Sequence, residues 1–197
     1  MNNYKNLREE ALRNAIAQDI RERKGSYFTP QIWVEKSQKY ISDVLGEAWQ
    51  EEYYIWDCSA GTGNLLNGLT NYNNVWASTI DHQDVDVMQD RIGNGWKMAE
   101  NHIFQFDFLN DDFSKCPESL QEILNDEEKR KKLVIYINPP YAEATSSKTI
   151  PAKESKHKSG VATSKIKEKY QDILKQGAKE LYVLFLFRCY MEIPNCI

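Results

Sequence analysis

The chain reads as an α/β domain built on a mostly parallel sheet, and three observations predict it. Four short runs rich in β-branched and aromatic residues, YYIWDC (53–58), VWASTI (75–80), HIFQFDF (102–108) and LVIYIN (133–138), read as strands. The segments between them have helical character, and strand alternating with helix is the signature of a parallel sheet covered on both faces. Acids, glycines and one amide stand at the C-terminal ends of the runs, where right-handed crossovers leave room for ligands. With 197 residues, 41% of them hydrophobic and 27% charged, the chain is long enough to enclose one sizeable core.

The elements follow in order. Residues 3–23 carry Leu7, Ala11, Leu12, Ala15, Ile16 and Ile20 at helical spacing, closed by Lys24 and Gly25. A second helix starts after Thr29, with Pro30 in its first turn, Ile32, Val34, Tyr40, Ile41 and Leu45 inward, and Gly46 at its end. Residues 1–50 form an N-terminal helical segment on this reading, and 51–197 the main domain. Further helices are expected from about Asn64, over 84–98 and over 118–132. The last segment, 166–195, reads as one long helix with an apolar second half, stopped by Pro194.

Composition excludes several classes. No run of about 18 apolar residues exists to span a bilayer, and MNNYKNLREEALRNAIAQ has no apolar signal core, so a soluble, cytoplasmic protein without a membrane partner is expected. Cys58, Cys116, Cys189 and Cys196 are scattered, which predicts reduced thiols, no disulfide frame and no metal site. A net charge of -4 argues against a protein that coats nucleic acid over its whole surface. A local patch is nonetheless present: seven lysines lie between Ala142 and Lys169, and a flexible lysine-rich loop is expected over about 142–165.

The strand ends carry the chemistry. The first ends in DCSAGTGN, where Asp57 precedes a turn in which Gly61 and Gly63 let the backbone bend sharply and approach a ligand. Position 66 is Leu, so the third glycine of the dinucleotide fingerprint is missing, which favours a ligand without a pyrophosphate. The second strand runs into Asp81, placed where a carboxylate can accept from both hydroxyls of a ribose. Asp84 and Asp86 nearby read as a helix N-cap and a first-turn charge. The third strand ends in Asp107 and Phe108, an acceptor and a ring suited to an adenine, though in isolation such a pair is a cap and a core residue. The fourth ends in Asn138, Pro139, Pro140 and Tyr141, and two prolines in succession end any strand.

Together these residues resemble the S-adenosylmethionine-dependent amino-methyltransferases of DNA, specifically the adenine N6 enzymes, whose fourth strand ends in Asn-Pro-Pro-Tyr. GSYFTP (25–30) is similar to the segment that in that family closes over the methionine arm. The resemblance implies a Rossmann-like methyltransferase fold, here its first four strands plus the N-terminal segment. It implies S-adenosylmethionine as cofactor, with Tyr27 and Thr29 on the methionine arm and Asp57 on its ammonium. Gly61 and Gly63 would then give close backbone approach, Asp81 would hold the ribose, and Asp107 with Phe108 the adenine. The implied partner is duplex DNA with one adenine flipped out, and the lysine-rich loop would lie near its backbone.

The tetrapeptide then has a physical purpose. An exocyclic amine is a poor nucleophile because its lone pair is delocalised into the ring. The Asn138 side-chain oxygen and the Pro139 carbonyl, accepting its two protons, would free that lone pair for in-line attack on the methyl. Diproline stiffens the backbone so that the carbonyl is aimed beforehand. Tyr141 would stack on the flipped base. No covalent cysteine intermediate is implied, since Cys116 precedes Pro117 and no Pro-Cys dipeptide occurs.

The chain departs from the family after the last helix, where the family's sheet continues and a target-recognition region usually follows. The expectation is a truncated form, or one completed by a partner subunit as in a restriction-modification assembly, with β-edge exposure, weak activity alone and self-association. Rival readings are a methyltransferase of protein glutamine or RNA base amines, a non-catalytic cofactor- or nucleic-acid-binding module, and, more distantly, an NAD-dependent dehydrogenase.

Overall fold

The computed structural model describes residues 29–141 and 164–197. The helix expected over 3–23, Tyr27 and the lysine-rich segment from 142 to 163 lie outside the described residues. The elements are α1 (Gln31–Leu45), α2 (Trp49–Glu52), β1 (Tyr54–Asp57), β2 (Val75–Thr79), α3 (His82–Gly93), β3 (Ile103–Gln105), α4 (Glu118–Asn125), α5 (Glu127–Arg130), β4 (Leu133–Ile135), α6 (Lys165–Leu174) and α7 (Leu181–Glu192).

The four strands pair in parallel in the order β3-β2-β1-β4. Ile55 faces Val75 on one side and Val134 on the other, and Ala77 faces Ile103. The α/β fold class is therefore as the sequence predicts, and the sheet, expected to be mostly parallel, is parallel throughout its four described strands. β4 lies at the sheet edge, and Ile197 bonds onto it: the Ile135 N–H donates to the Ile197 carbonyl, and the Ile197 N–H to the Leu133 carbonyl, both at 2.8 Å.

Both faces of the sheet are apolar, and the two-residue period of the strands sorts side chains between two cores. Ile55, Val75, Ala77, Val134 and Tyr136 point to one face, where they meet Val34 of α1 and Met88 of α3. Trp56, Trp76 and Leu133 point to the other, against Leu120 and Ile123 of α4 and Leu184 and Phe185 of α7. Polar atoms carried into these cores are paired: the Trp56 indole N–H donates to Ser78 Oγ and that of Trp76 to Ser119 Oγ, each at 3.1 Å.

Several elements differ from their sequence reading. Pro30 is the N-cap of α1 rather than part of its first turn, and Ile32 and Tyr40 face outward while Val34 is buried. The helix expected from Asn64 is a single 3-10 turn, Asn64–Leu66, because Leu65 and Leu66 both turn into the core and Gly68, at φ +83°, redirects the chain. α3 starts at His82, two residues early, with Asp81 and not Asp84 at its N-cap, and stops at Gly93 before the left-handed Gly95. The helix over 118–132 divides at Asp126, whose carboxylate accepts from the N–H groups of Glu128 and Lys129 and so starts a new helix. The long C-terminal helix also divides: α6 stops at Leu174, Lys175 takes φ +50°, and a 3-10 turn over Lys175–Lys179 leads into α7. Ala178 in that turn and Leu181 at the start of α7 are both buried in the core.

Among the described residues, no helix is long and apolar enough to cross a membrane.

Candidate functional site

β1 leads outward to β2 and β3, and the chain then returns to β1's other side as β4. The direction of winding therefore reverses between β1 and β4, which is where an open α/β sheet leaves a crevice above the carboxyl ends of its strands. The glycine turn and the Asn-Pro-Pro-Tyr segment both emerge at this reversal.

Asp57, the last residue of β1, is 1% exposed. Its Oδ1 accepts from the Ser59 N–H at 3.0 Å. Burial raises its pKa to about 7, against the smaller opposing effect of that hydrogen bond, because a charged carboxylate loses water there and gains little in return. The turn beyond it is pinned to the sheet by the Ala60 N–H, which donates to the Ser78 carbonyl at 2.9 Å, and closes with the Gly63 N–H on the Ala60 carbonyl at 2.8 Å.

The two glycines of the turn differ. Gly61, at φ +53°, has nothing among the described residues within 4 Å of where a Cβ would stand, which leaves open space on that side of the turn. Gly63, at φ +79°, would place a Cβ 2.9 Å from the Trp96 ring and 3.2 Å from Arg91 Nη1, so its close approach is to the protein's own side chains. Arg91 lies over the Trp96 ring at 4.2 Å and donates to the Thr62 carbonyl at 2.6 Å, holding the turn from beneath. Thr62 Oγ1 is buried with no hydrogen-bond partner among the described residues.

β4 holds its ladder through Tyr136, whose N–H donates to the Trp56 carbonyl at 3.1 Å, and the backbone then leaves the sheet. Asn138 is half-buried and held on three sides. Its Nδ2 donates to Thr29 Oγ1 at 3.0 Å, its Oδ1 accepts from the Tyr141 hydroxyl at 3.1 Å, and its carbonyl accepts from Ser59 Oγ at 3.4 Å. Thr29, Asn138, Tyr141 and the Asp57–Ser59 corner are thus brought together from three distant parts of the sequence. Tyr141 is 56% exposed, with its ring centroid 6.0 Å from that of Tyr182 at the start of α7.

A cavity of about 370 Å³ opens beside Asn138 and Thr29. Trp33, Lys36 and Tyr40 of α1 line it, with Leu65 and Tyr136 further in. Ser37 Oγ donates to the Val34 carbonyl at 3.0 Å, so the 2.5 Å contact with Tyr136 has the phenol as donor. Burial raises the pKa of that phenol, keeping it protonated for the role.

The remaining sequence-predicted residues lie along the rim. Asp81 stands at the end of β2 as the N-cap of α3, and Asp84 accepts from Thr79 Oγ1 at 3.5 Å. Asp107 follows β3, where Oδ1 accepts from the Leu109 N–H at 3.0 Å and Oδ2 from Asn110 Nδ2 at 2.8 Å, so both oxygens hold the loop. Phe108 is 2% exposed, stacked on Phe185 at 5.1 Å and edge-on to Trp56 at 5.5 Å. Its ring is therefore part of the core and has no face open to a ligand. Pro139 and Pro140 are half-buried between Asn138 and Tyr141.

Sequence reasoning gave no site role to Ser59, Ser37, Trp33, Tyr40 or Tyr182, and read Tyr40 only as an inward residue of its helix. Ser59 lies within the glycine turn already under suspicion, and its hydroxyl is a readable signal. Tyr182 had none, because only the broken C-terminal helix brings it to Tyr141.

No protein-family model, no curated protein and no solved structure matches the chain.

Proposed function

We propose that the chain is the cofactor- and amine-binding part of an S-adenosylmethionine-dependent methyltransferase acting on the exocyclic N6 of adenine in DNA. The observation that carries this reading is Asn138: an amide at the winding reversal, held at Nδ2 by Thr29 with its oxygen on the hydroxyl of the exposed Tyr141, and with its backbone carbonyl on Ser59 beside Asp57.

The residues fit the cofactor on grounds of their own chemistry. Asp57 is a buried acid whose charged form lacks a cationic partner among its described contacts, and an α-ammonium would supply one. Gly61 leaves open space at the turn, and Thr62 Oγ1 is a buried hydroxyl in want of a partner. Asp81 would hold the ribose and Asp107 the adenine amine, through lone pairs its loop contacts leave free. Phe108 is left out of this set because its ring is enclosed. When bound, S-adenosylmethionine supplies an electrophilic methyl group.

The chain's own residues would act on the other reactant. Asn138 Oδ1 and the Pro139 carbonyl accept the two amine protons and draw density onto nitrogen. The prolines fix that carbonyl without adding N–H groups that need partners. Tyr141, and Tyr182 beside it, offer ring faces to a base taken out of its stack, each worth about 1–3 kcal/mol. The two acceptors suit any planar amine, so the polymer must be found by assay. Tritiated-methyl transfer offered DNA, RNA and protein separately is expected to label DNA, and label in protein alone would overturn the choice.

A further inference from the structure

Thr29 was read from the sequence as a contact of the methionine arm, but its hydroxyl oxygen is engaged with Asn138. An asparagine amide is asymmetric: one rotation about its last torsion presents an acceptor, the opposite one presents two donors. Only the first can receive an amine proton. The two partners of Asn138 are both hydroxyls, so pairing alone does not select the rotation. Their chemistry does. A phenol is the better donor and the poorer acceptor, an aliphatic hydroxyl the better acceptor, which assigns Tyr141 to Oδ1 and Thr29 to Nδ2, as found.

The two hydroxyls also differ in permanence. Tyr141 is exposed, and an amine arriving at Oδ1 must displace its hydroxyl. Thr29 lies on the far side, immediately before the N-cap of α1, and need not move. Once the amine is in place, the Thr29 contact is what holds the amide in its productive rotation. We infer that Thr29 is a positioning residue that fixes the Asn138 amide with its oxygen toward the substrate amine. This rests on the methyltransferase reading for its catalytic meaning, but the orientation itself stands on the 3.0 Å contact. The Thr29 hydroxyl proton remains available to donate elsewhere.

The test uses Thr29→Val, which keeps the shape and removes the hydroxyl, and Thr29→Ser, which keeps the hydroxyl. In the ligand-free protein, the Asn138 side-chain amide resonance is identified by its loss in Asn138→Ala. Its proton exchange with water is expected to be roughly 3–10-fold faster in Thr29→Val, the change expected on losing one neutral hydrogen bond, and within about twofold of wild type in Thr29→Ser. Unchanged exchange in Thr29→Val overturns the inference whatever the activity. In methyl transfer, Thr29→Val is expected to lower kcat by a similar roughly 3–10-fold factor, with serine restoring it. A rise confined to the cofactor KM, with kcat intact, would make Thr29 a cofactor contact instead and refute the positioning role. Altered exchange alongside a wild-type protein that transfers no methyl to any substrate would refute the function and leave the orientation standing.

Discussion

Asp57 should make stability and, on the proposed reading, cofactor binding respond to pH in opposite directions. The carboxyl titrates at about 7 in the folded chain against an ordinary 3.8, because burial penalises its charge. The folded state thus binds more protons than the unfolded state between these values, and stability falls as pH rises through that window. Three pH units at about 1.4 kcal/mol each put the loss at about 4 kcal/mol, complete above pH 7 and absent below the unfolded value. Asp57→Asn keeps the shape and removes the titration. Urea unfolding of both proteins between pH 4 and pH 8.5 should show the difference shifting in favour of the variant by about 4 kcal/mol across the range, whatever its offset at pH 4. A difference that stays flat would mean the carboxylate is charged at little cost and would refute the account of Asp57. A cation against Asp57 reverses the balance, so S-adenosylmethionine affinity in wild type should rise with pH towards 7. Its binding at pH 6 should release close to one proton, read by calorimetry in buffers of different ionisation enthalpy.

The two turn glycines should separate on substitution. Gly63→Ala forces a Cβ to 2.9 Å from Trp96 at positive φ and should cost about 2–4 kcal/mol in urea unfolding, whereas Gly61→Ala meets nothing and should cost only about 1–2 kcal/mol, from its backbone. Arg188 is buried, donates to the carbonyls of Phe108 and Asp111 and pairs with Glu192, so Arg188→Met should destabilise by about 3 kcal/mol on thermal unfolding. Asn138→Ala should lower stability by only about 1–3 kcal/mol, for its two side-chain hydrogen bonds, and reduce methyl transfer by at least about 100-fold, the cost of removing one preorganised partner of a reacting group. Tyr182→Ala should weaken binding of an adenine-containing single strand by roughly tenfold in a fluorescence titration, with little change in stability.

The parts of the fold read most reliably from sequence are those that one physical requirement decides. The strands were legible because a parallel sheet covered on both faces buries its strands on both sides and favours β-branched and aromatic runs, as in β2, which is buried throughout although it ends in Ser78 and Thr79. Helix ends were legible where a glycine stops the chain, as at Gly46, and illegible where tertiary packing overrode local preference. The 64–66 segment has helix formers in Leu65 and Leu66, yet burying both leaves no exposed face for a further turn. At the site, Asn138 stood out because diproline after a strand has few other uses. Phe108 was misjudged for the opposite reason: a phenylalanine at a strand end suits a core as well as a ligand, and only Trp56 and Phe185 decide between them.

The winding reversal explains why these residues gather in one place although Thr29 and Asn138 are 109 positions apart. A parallel sheet needs every connection to cross one of its faces. α1 and α3 cover one face and α4 and α7 the other, and the winding reverses between the ends of β1 and β4. Backbone that leaves those ends must find partners outside the ladder or go without them. Ser59 gives a donor to the Asn138 carbonyl, and Pro139 and Pro140 have no N–H to satisfy. Asp57, buried by the same geometry, has no such escape and is left with a carboxyl whose charge is costly. The place where the sheet cannot complete its own hydrogen bonding is therefore the place best supplied with groups for a ligand. An amide oxygen, a carbonyl and a buried acid are the set that a planar amine and a cationic cofactor would require.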